Sequence, residues 1–222
     1  VLATVLAITL HEAAHGYAAL ALGDDTAQRA GRLSLNPLRH VDPVGTVLLP
    51  GILLLLQLLT IGRVEAMFGW AKPVPVDIRR LRNPRSGMAL VAAAGPAMNG
   101  FLAWCAAMLA HPLEDFGSVL PPEAMALGVR FIILSIMANL LLGLFNLLPV
   151  PPLDGGRIMV GVLPAPLALR LARLERAGLL IVLLLIFVLP RISPSLDLLG
   201  WLVDLVTGPG FNLVLWLAGH GS

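Results

Sequence analysis

Charged residues and cysteines are scarce in this sequence. Only 13% of its 222 residues are Asp, Glu, Lys or Arg, whereas soluble domains carry roughly 25%. Hydrophobic residues make up 58% of the chain. This balance excludes an ordinary soluble domain and indicates an integral membrane protein. The one cysteine, Cys105, excludes an intramolecular disulfide framework and any metal site built from clustered cysteines.

The few charges are arranged as topology signals. The formal net charge is +2, which by itself is compatible with nucleic-acid binding. The arginines, however, cluster in short loops between apolar segments, as expected where positive charge holds loops on the cytosolic side of a membrane. We therefore expect a lipid bilayer, and no nucleic acid, among the partners of this chain.

Six apolar segments dominate the chain. They are 1–22, 45–62, 87–111, 127–148, 177–190 and 199–218. Most approach the length of about 20 residues that a helix needs to cross the hydrocarbon core, so the predicted fold is an all-α polytopic membrane protein with about five to six transmembrane helices. No linker is long enough to separate two domains. Residues 1–222 are therefore predicted to form one domain, with additional C-terminal helices at about 170–218.

Loop charges predict how these helices are oriented. The acidic loop 112–126 is expected outside, whereas three Arg-containing loops are expected in the cytosol, namely 23–44, 63–86 and 149–176. Both flanks of segment 45–62 then lie on one side of the membrane. A re-entrant segment meets this requirement, and Pro50-Gly51 is a suitable place for its turn. A full crossing is the simpler alternative, but it leaves three arginines outside.

Two short stretches are predicted to be extended. Residues 29–36 alternate weakly in polarity and stop before Pro37, which favours a short β element after the first helix. Residues 69–76 contain prolines that disfavour a helix. An edge strand at 29–36 can receive an extended substrate by strand addition.

The sequence His11-Glu-Ala-Ala-His15 lies inside the first apolar segment. On a helix this HExxH spacing places two imidazoles one turn apart on one face, with a carboxylate beside them. Such a set supplies two zinc ligands, His11 and His15, and a general base, Glu12. A role in packing alone is disfavoured, because it leaves three polar side chains unsatisfied in an apolar helix.

A catalytic zinc ion usually takes three protein ligands, so this motif is incomplete. The candidates for the third ligand are Asp154, Asp204, His40 and Asp42. Asp154 is the best of them, because the proline-rich stretch 149–152 holds it on irregular backbone, which at membrane depth lines polar cavities. Alternatively, Asp154 caps a short helix at 155–162. Spacing alone leaves these two roles open.

Three motifs together resemble the site-2 protease family of intramembrane zinc metalloproteases, peptidase family M50. HEAAH matches the HExxH motif of the family, and Asn146-Leu-Leu-Pro-Val-Pro-Pro-Leu-Asp-Gly-Gly156 matches its distal NxxPxPxLDG motif. Between them, Gly95-Pro-Ala-Met-Asn99 resembles the family's GPxxN-type turn. Residues 36–46 resemble the compact subgroup that lacks a PDZ domain. The resemblance covers about residues 1–160, the expected catalytic core.

This resemblance implies one Zn²⁺ per chain, bound by His11, His15 and Asp154, with Glu12 as the catalytic base. It implies hydrolysis of peptide bonds in or near transmembrane segments of membrane-protein substrates, as in regulated intramembrane proteolysis. Together with the loop charges, it implies a multi-pass protein of a prokaryotic cell membrane, with the active site nearer the cytosolic side. The oligomeric state does not follow from it.

Three further polar residues are candidates for positioning the substrate or the oxyanion. By resemblance, Asn146 lies near the catalytic centre. His40 belongs to the subgroup pattern, so it either stabilises an oxyanion or forms a local hydrogen bond in its loop. Asn99 either satisfies backbone groups freed by Pro96 or positions the substrate.

Two other functions are compatible with parts of the pattern. A zinc-binding membrane transporter also buries His and Asp near the midplane, often at broken helices. It has no need of a glutamate directly after the first histidine, however, and the chain shows no paired halves. A proteolytically inactive scaffold is disfavoured, because all four key residues of the resemblance are intact.

Overall fold

A computed structural model describes residues 2–63 and 72–220 of the chain. In this described part every regular element is helical, and no strand occurs. The helices are α1 (Leu2–Ala21), α2 (Thr26–Arg29), α3 (Leu49–Thr60), α4 (Pro84–Met108), α5 (Ala110–Asp115), α6 (Pro122–Asn146), α7 (Asp154–Val162), α8 (Ala165–Arg173), α9 (Gly178–Leu183), α10 (Leu189–Ile192), α11 (Leu198–Leu205) and α12 (Phe211–Leu217). Between them lie 3-10 turns at Pro37–His40, Ile78–Arg80, Leu174–Ala177 and Pro194–Leu196, and π-type turns at Pro43–Leu48, Leu184–Val188 and Val206–Gly210.

Among the described residues, four continuous helical stretches are long and apolar enough to cross a membrane. They are Pro43–Thr60, Pro84–Asp115, Pro122–Asn146 and Leu198–Leu217. The all-helical prediction is confirmed, and four of the six predicted apolar segments are candidate spans. Helix α1, which carries the polar HEAAH motif, is not among the four. The helical run from Gly178 to Ile192 is shorter than the roughly 17–25 residues of a span.

The re-entrant turn predicted in segment 45–62 is not supported. This segment belongs to the helical stretch Pro43–Thr60, which continues through Pro50 and Gly51 without a break. The π-type turn at Pro43–Leu48 comes just before Pro50. A widened turn of this kind accommodates a proline, which has no backbone N–H to donate to the helix.

The β element predicted at 29–36 is absent, and irregular backbone follows α2 instead. Gly31 reverses the chain here with a φ of 63°, which costs glycine little. Side chains then close the loop, since Arg39 Nη1 donates to Gly31 O at 2.6 Å and Arg32 Nη1 donates to Arg39 O. The weak alternation was misleading because a strand also needs a neighbouring strand for its backbone groups.

Residues 72–77 have no regular secondary structure, as their prolines predict, while 69–71 lie outside the described residues. Three backbone N–H groups attach this stretch to the region around α1. Their hydrogen bonds are Lys72 N to His40 O at 2.9 Å, Val74 N to Glu12 Oε2 at 3.0 Å, and Asp77 N to Asp24 Oδ2 at 2.7 Å. The extended stretch is therefore held beside the HEAAH motif.

Asp24, just after α1, is fully buried and holds the stretch 72–77 through the Asp77 N–H. Burial by itself raises the pKa of this carboxyl group. Hydrogen bonds from Thr26 and from the Asp77 N–H, together with the charge of Arg80, outweigh burial and bring the pKa below its usual 3.8. Asp24 is thus ionised at neutral pH and can accept all of these hydrogen bonds.

Helix α4 lies at the centre of the bundle and packs against α1, α6 and α7. Small residues cover its buried surface, among them Gly87, Ala92, Gly95, Ala103 and Ala107. Such residues let helix backbones approach closely, which is the usual basis of helix packing in membranes. The close approach brings polar side chains of α1, α4 and α6 within hydrogen-bonding distance.

The outer surface of the bundle is apolar. Large hydrophobic side chains are exposed along the candidate spans, for example Leu55, Leu59, Leu127, Leu134 and Trp216. A soluble protein rarely exposes apolar area on this scale, whereas hydrocarbon chains solvate it well. The structure therefore agrees with the composition in indicating a lipid-facing surface.

Candidate active site

The HEAAH motif and Asp154 meet inside the bundle. His11 and His15 lie on the buried face of α1, and Asp154 is the first residue of α7. The two Nε2 atoms are 3.1 Å apart, and Asp154 Oδ2 lies 3.1 Å from that of His11 and 3.2 Å from that of His15. All three side chains are buried, with 4%, 9% and 6% of their residue surface exposed. The structure thus brings together the three residues predicted as ligands.

The other nitrogen of each ring determines where its proton resides. His15 Nδ1 lies 2.7 Å from Val91 O, a carbonyl that can only accept, so this Nδ1 carries the hydrogen. His11 Nδ1 lies 2.5 Å from Asn99 Oδ1, which is likewise an acceptor. In the neutral rings both Nε2 atoms therefore present lone pairs to each other and to Asp154.

These donors fit a zinc ion. Asp154 Oδ2 is buried and has no hydrogen-bond partner in the described part of the chain. Three lone-pair donors that face one another repel unless a cation lies between them. Their separations are close to the roughly 3.3 Å expected between ligands placed about 2.0–2.1 Å from a tetrahedral zinc ion. Two imidazoles and one carboxylate also form a donor set found in catalytic zinc sites.

The start of α7 presents Asp154 to the histidines. The alternative role as a helix cap is not seen, since the N-cap position is occupied by Leu153 and α7 begins at Asp154 itself. The following Gly155 and Gly156 pack against the turn after α6, because a Cβ at Gly155 would collide with Leu147 O and one at Gly156 with Pro151 N. The pair of glycines is needed for this close approach, which places the carboxylate beside α1.

Gly95 brings α4 against the two imidazoles. A Cβ added at this position would lie 2.5 Å from His15 Nε2 and 2.6 Å from His11 Nε2. Real Cβ atoms essentially never come closer than 3.0 Å to such neighbours. The GPxxN-type motif therefore has two functions in this structure: its glycine makes room for the rings, and Asn99 accepts from His11.

Gly95→Ala is expected to weaken zinc binding at least about tenfold, because the new methyl group displaces both imidazole rings. Mutation of groups that contact metal ligands typically lowers metal affinity about 10–100-fold. Competition with a chelator measures this affinity in detergent-solubilised protein. Gly100→Ala is the matched control, since Gly100 lies on the same helix and its Cβ would meet nothing within 4 Å. Unchanged zinc affinity in Gly95→Ala would contradict the close packing described here.

Glu12 lies beside the three predicted ligands and is half-buried. Its Oε2 accepts a hydrogen bond from Val74 N at 3.0 Å. The sequence predicted Glu12 as a base next to His11 but gave no partner for its carboxylate. The structure supplies one, the backbone N–H of Val74 in the extended stretch 72–77.

The other predicted positioning residues lie in different surroundings. Asn146 ends α6, and its Nδ2 donates to Leu142 O of the same helix at 3.0 Å. His40 is buried, and its Nε2 donates to Ser34 O at 2.8 Å, while Nδ1 has no hydrogen-bond partner in the described structure. A neutral His40 therefore offers only a lone pair at Nδ1, so it must be protonated to donate to an oxyanion.

Asn139 is a polar residue of this region that the sequence motifs did not single out. It is 4% exposed and lies on α6, where its Oδ1 accepts from Asn99 Nδ2 at 2.8 Å. The sequence could have indicated Asn139 only through its position inside an otherwise apolar segment. A polar side chain is energetically costly there, so it usually has a function.

Comparison with known proteins assigns the family. Residues 121–189 match peptidase family M50. The chain is 39% identical over 191 residues to YwhC of Bacillus subtilis (strain 168), a provisionally named zinc metalloprotease, and the match covers 86% of this chain and 80% of that protein. This chain belongs to peptidase family M50. The M50 chain is also 29% identical over 206 residues to Rip2 of Mycolicibacterium smegmatis (strain ATCC 700084 / mc(2)155), another provisionally named zinc metalloprotease, with 91% and 69% of the two chains covered. Comparison with solved structures found no match.

The resemblance inferred from the motifs is thus confirmed. This M50 peptidase is a zinc metalloprotease, a hydrolase that uses Zn²⁺. The four candidate membrane-spanning helices among the described residues, together with the family, make it an integral membrane protein. In residues 2–63 and 72–220, which the structure describes, no PDZ domain is evident.

Proposed function

We propose that this M50 peptidase hydrolyses peptide bonds in or near transmembrane segments of membrane-protein substrates, as in regulated intramembrane proteolysis. The observation that carries the proposal is the buried meeting of His11, His15 and Asp154 inside a bundle with an apolar outer surface. The partners of the two histidines on α4, Val91 and Asn99, lie in the interior of the candidate span Pro84–Asp115. This position supports a site at membrane depth.

In this proposal His11, His15 and Asp154 hold the zinc ion. When bound, zinc lowers the pKa of water toward about 7 and polarises the scissile carbonyl. Glu12 accepts the proton of the attacking water and delivers it to the nitrogen of the leaving amine as the C–N bond breaks. The hydrogen bond from Val74 N keeps the Glu12 carboxylate in place for both transfers.

The substrate has to be locally unwound. A helical segment keeps its peptide groups in intrahelical hydrogen bonds, so its scissile carbonyl is not accessible to a fixed site. No strand exists at 29–36, so we assign substrate binding to the extended stretch 72–77 instead. This stretch is hydrogen-bonded to Glu12 through Val74 N. This position would bring an unwound substrate close to the base.

We further propose that the site opens toward the cytosol. Arg-rich segments gather at one end of the bundle, where Arg82 N donates to Leu22 O at 3.0 Å and Arg85 Nε donates to Val160 O at 3.2 Å. His15 contacts Val91 O of α4, which lies about 10 Å along that helix from Pro84 but about 25 Å from Met108, where the acidic helix α5 follows. Since positive loops stay in the cytosol, water and one side of the substrate enter from there in a prokaryotic cell membrane.

The remaining assignments concern organisation and secondary roles. We propose that the chain is one domain, with a catalytic core at about 1–160 and C-terminal helices that support it, since α11 and α12 pack on α6. Asn99 is assigned to the orientation of His11 instead of to the substrate. Positioning roles for Asn146 and His40 stay predictions.

Reconstitution into liposomes tests the function. Zinc-loaded protein should cleave a peptide whose transmembrane helix contains Gly or Asn, cleave an all-Leu helix much more slowly, and lose activity with a chelator until zinc is restored. Mass spectrometry locates the cut. Cleavage confined to soluble flanking segments would contradict the intramembrane proposal, and zinc uptake into the vesicles without proteolysis would favour a transporter.

A further inference from the structure

Helix α6 carries a buried amide that the proteolytic mechanism does not use. Asn139 is 4% exposed and lies in one of the apolar candidate spans. It faces α4 at a place where Gly143, one turn later, lets the two helices approach closely, since a Cβ at Gly143 would lie 3.2 Å from Asn99 Cβ. A polar group in such surroundings is costly unless its hydrogen bonds are satisfied.

A chain of hydrogen bonds connects Asn139 to His11. Asn139 Nδ2 donates to Ser135 O at 2.9 Å, and Asn99 Nδ2 donates to Asn139 Oδ1 at 2.8 Å. Asn99 Oδ1 then accepts from His11 Nδ1 at 2.5 Å. All the residues that these hydrogen bonds connect are buried.

Each hydrogen bond in this chain has only one possible direction. Ser135 O is a backbone carbonyl and can only accept, so Asn139 must turn its Nδ2 toward it and its Oδ1 toward α4. Asn99 must then present Nδ2 to Asn139 and Oδ1 to His11. As a result His11 carries its proton on Nδ1 and keeps the Nε2 lone pair free for the metal.

His15 needs no such support. Its Nδ1 donates directly to the backbone carbonyl of Val91, which cannot change into a donor. The partner of His11 is a side-chain amide, and rotation of that amide by half a turn would place an NH₂ group against Nδ1. His11 would then carry its proton on Nε2, where it blocks metal binding. The second acceptor of Asn99 Nδ2, Ala7 O, is 3.5 Å away and holds the amide less firmly.

We propose that Asn139 is a positioning residue for the zinc site, which keeps Asn99 and thereby His11 in the metal-binding orientation. It acts through an acceptor oxygen, on a helix that supplies none of the three ligands. The proposal rests on the zinc site proposed above.

The test compares variants of Asn139 that keep or remove this acceptor. Asn139→Leu fills the same space without an acceptor and is expected to bind zinc about 10–100-fold more weakly in chelator competition, the range for outer-shell partners. Asn139→Asp keeps an oxygen toward Asn99 in either protonation state and is expected to stay within about threefold of the natural protein. Ser135→Ala, which keeps the backbone carbonyl, is the matched control and should not change the affinity.

A role limited to packing predicts the opposite order, because Leu suits an apolar helix and Asp does not. The absorption spectrum of cobalt-substituted protein provides a second measurement, since it should change in the Leu variant and not in Asn139→Asp. Equal zinc affinity for Asn139→Leu and the natural protein, or an equal loss for Leu and Asp, overturns the inference. If Asn139→Leu does not fold, Asn139→Ala takes its place in the same comparison.

His11→Ala separates this inference from the site on which it rests. Loss of zinc in His11→Ala without any effect of Asn139→Leu means that only the positioning role is wrong. Full zinc affinity in His11→Ala means that the proposed site itself is wrong.

Discussion

Glu12→Gln is expected to abolish proteolysis while the protein still binds zinc. The amide keeps the size and the acceptor oxygen that Val74 N contacts at 3.0 Å, so the site should stay in place. It cannot accept the proton of the attacking water, and loss of a general base lowers rates by about 10²–10⁴-fold. Cleavage of the liposome substrate measures the rate, and metal analysis of the same sample measures the zinc.

Glu123→Gln is the matched control for this variant. The chemical change is identical, but Glu123 is exposed in the first turn of α6, away from the histidines. It should cleave at the natural rate. If Glu12→Gln also cleaved at that rate, Glu12 would not be the base. Loss of zinc together with activity would show that Glu12 supports the metal site.

Asp154→Ala is expected to lose more than about 100-fold in zinc affinity, beyond the usual range of outer-shell changes, because one of three ligands is removed. His11 and His15 keep their Nδ1 partners and remain together as an incomplete pair. Chelator competition gives the affinity, and circular dichroism checks that the helices are intact. Proteolysis should fall to background at zinc concentrations that saturate the natural protein.

Asp204→Ala makes the same change at another acidic residue near the C-terminus. The spacing of the sequence left Asp204 open as a third ligand, but it is exposed on α11 and lies outside the cluster of His11, His15 and Asp154. The zinc affinity of the Asp204→Ala variant should equal that of the natural protein. A stoichiometric, tightly held zinc ion in Asp154→Ala would move the third ligand elsewhere.

Much of the site follows from local patterns. The HExxH spacing puts His11 and His15 on one helix face wherever that helix lies, since an α-helix repeats every 3.6 residues. The resemblance of the distal motif added Asp154, and the structure brings its Oδ2 to within 3.2 Å of both Nε2 atoms. Apolar composition was equally sufficient to indicate an all-helical membrane protein.

The sequence-based predictions were wrong where the local structure depends on other parts of the chain. Residues 29–36 alternate, but no strand is available to pair with them in the described structure, and Gly31 with the two arginines closes a loop instead. Pro50 and Gly51 were expected to turn the chain within segment 45–62. Pro50 has no backbone N–H to donate, but the widened helical turn just before it accommodates this, so the helix continues.

The sequence by itself determined the membrane class and predicted two ligands and a base, because these depend on composition and on the spacing within one helix. Only the tertiary structure decided how Asp154 reaches them, which tautomer His11 and His15 adopt, and why Gly95 must be small. It also connected His11 through Asn99 to Asn139, on a third helix. Such relations depend on how closely separate helices pack, and the packing distance is set by all the small residues along their contacts at once.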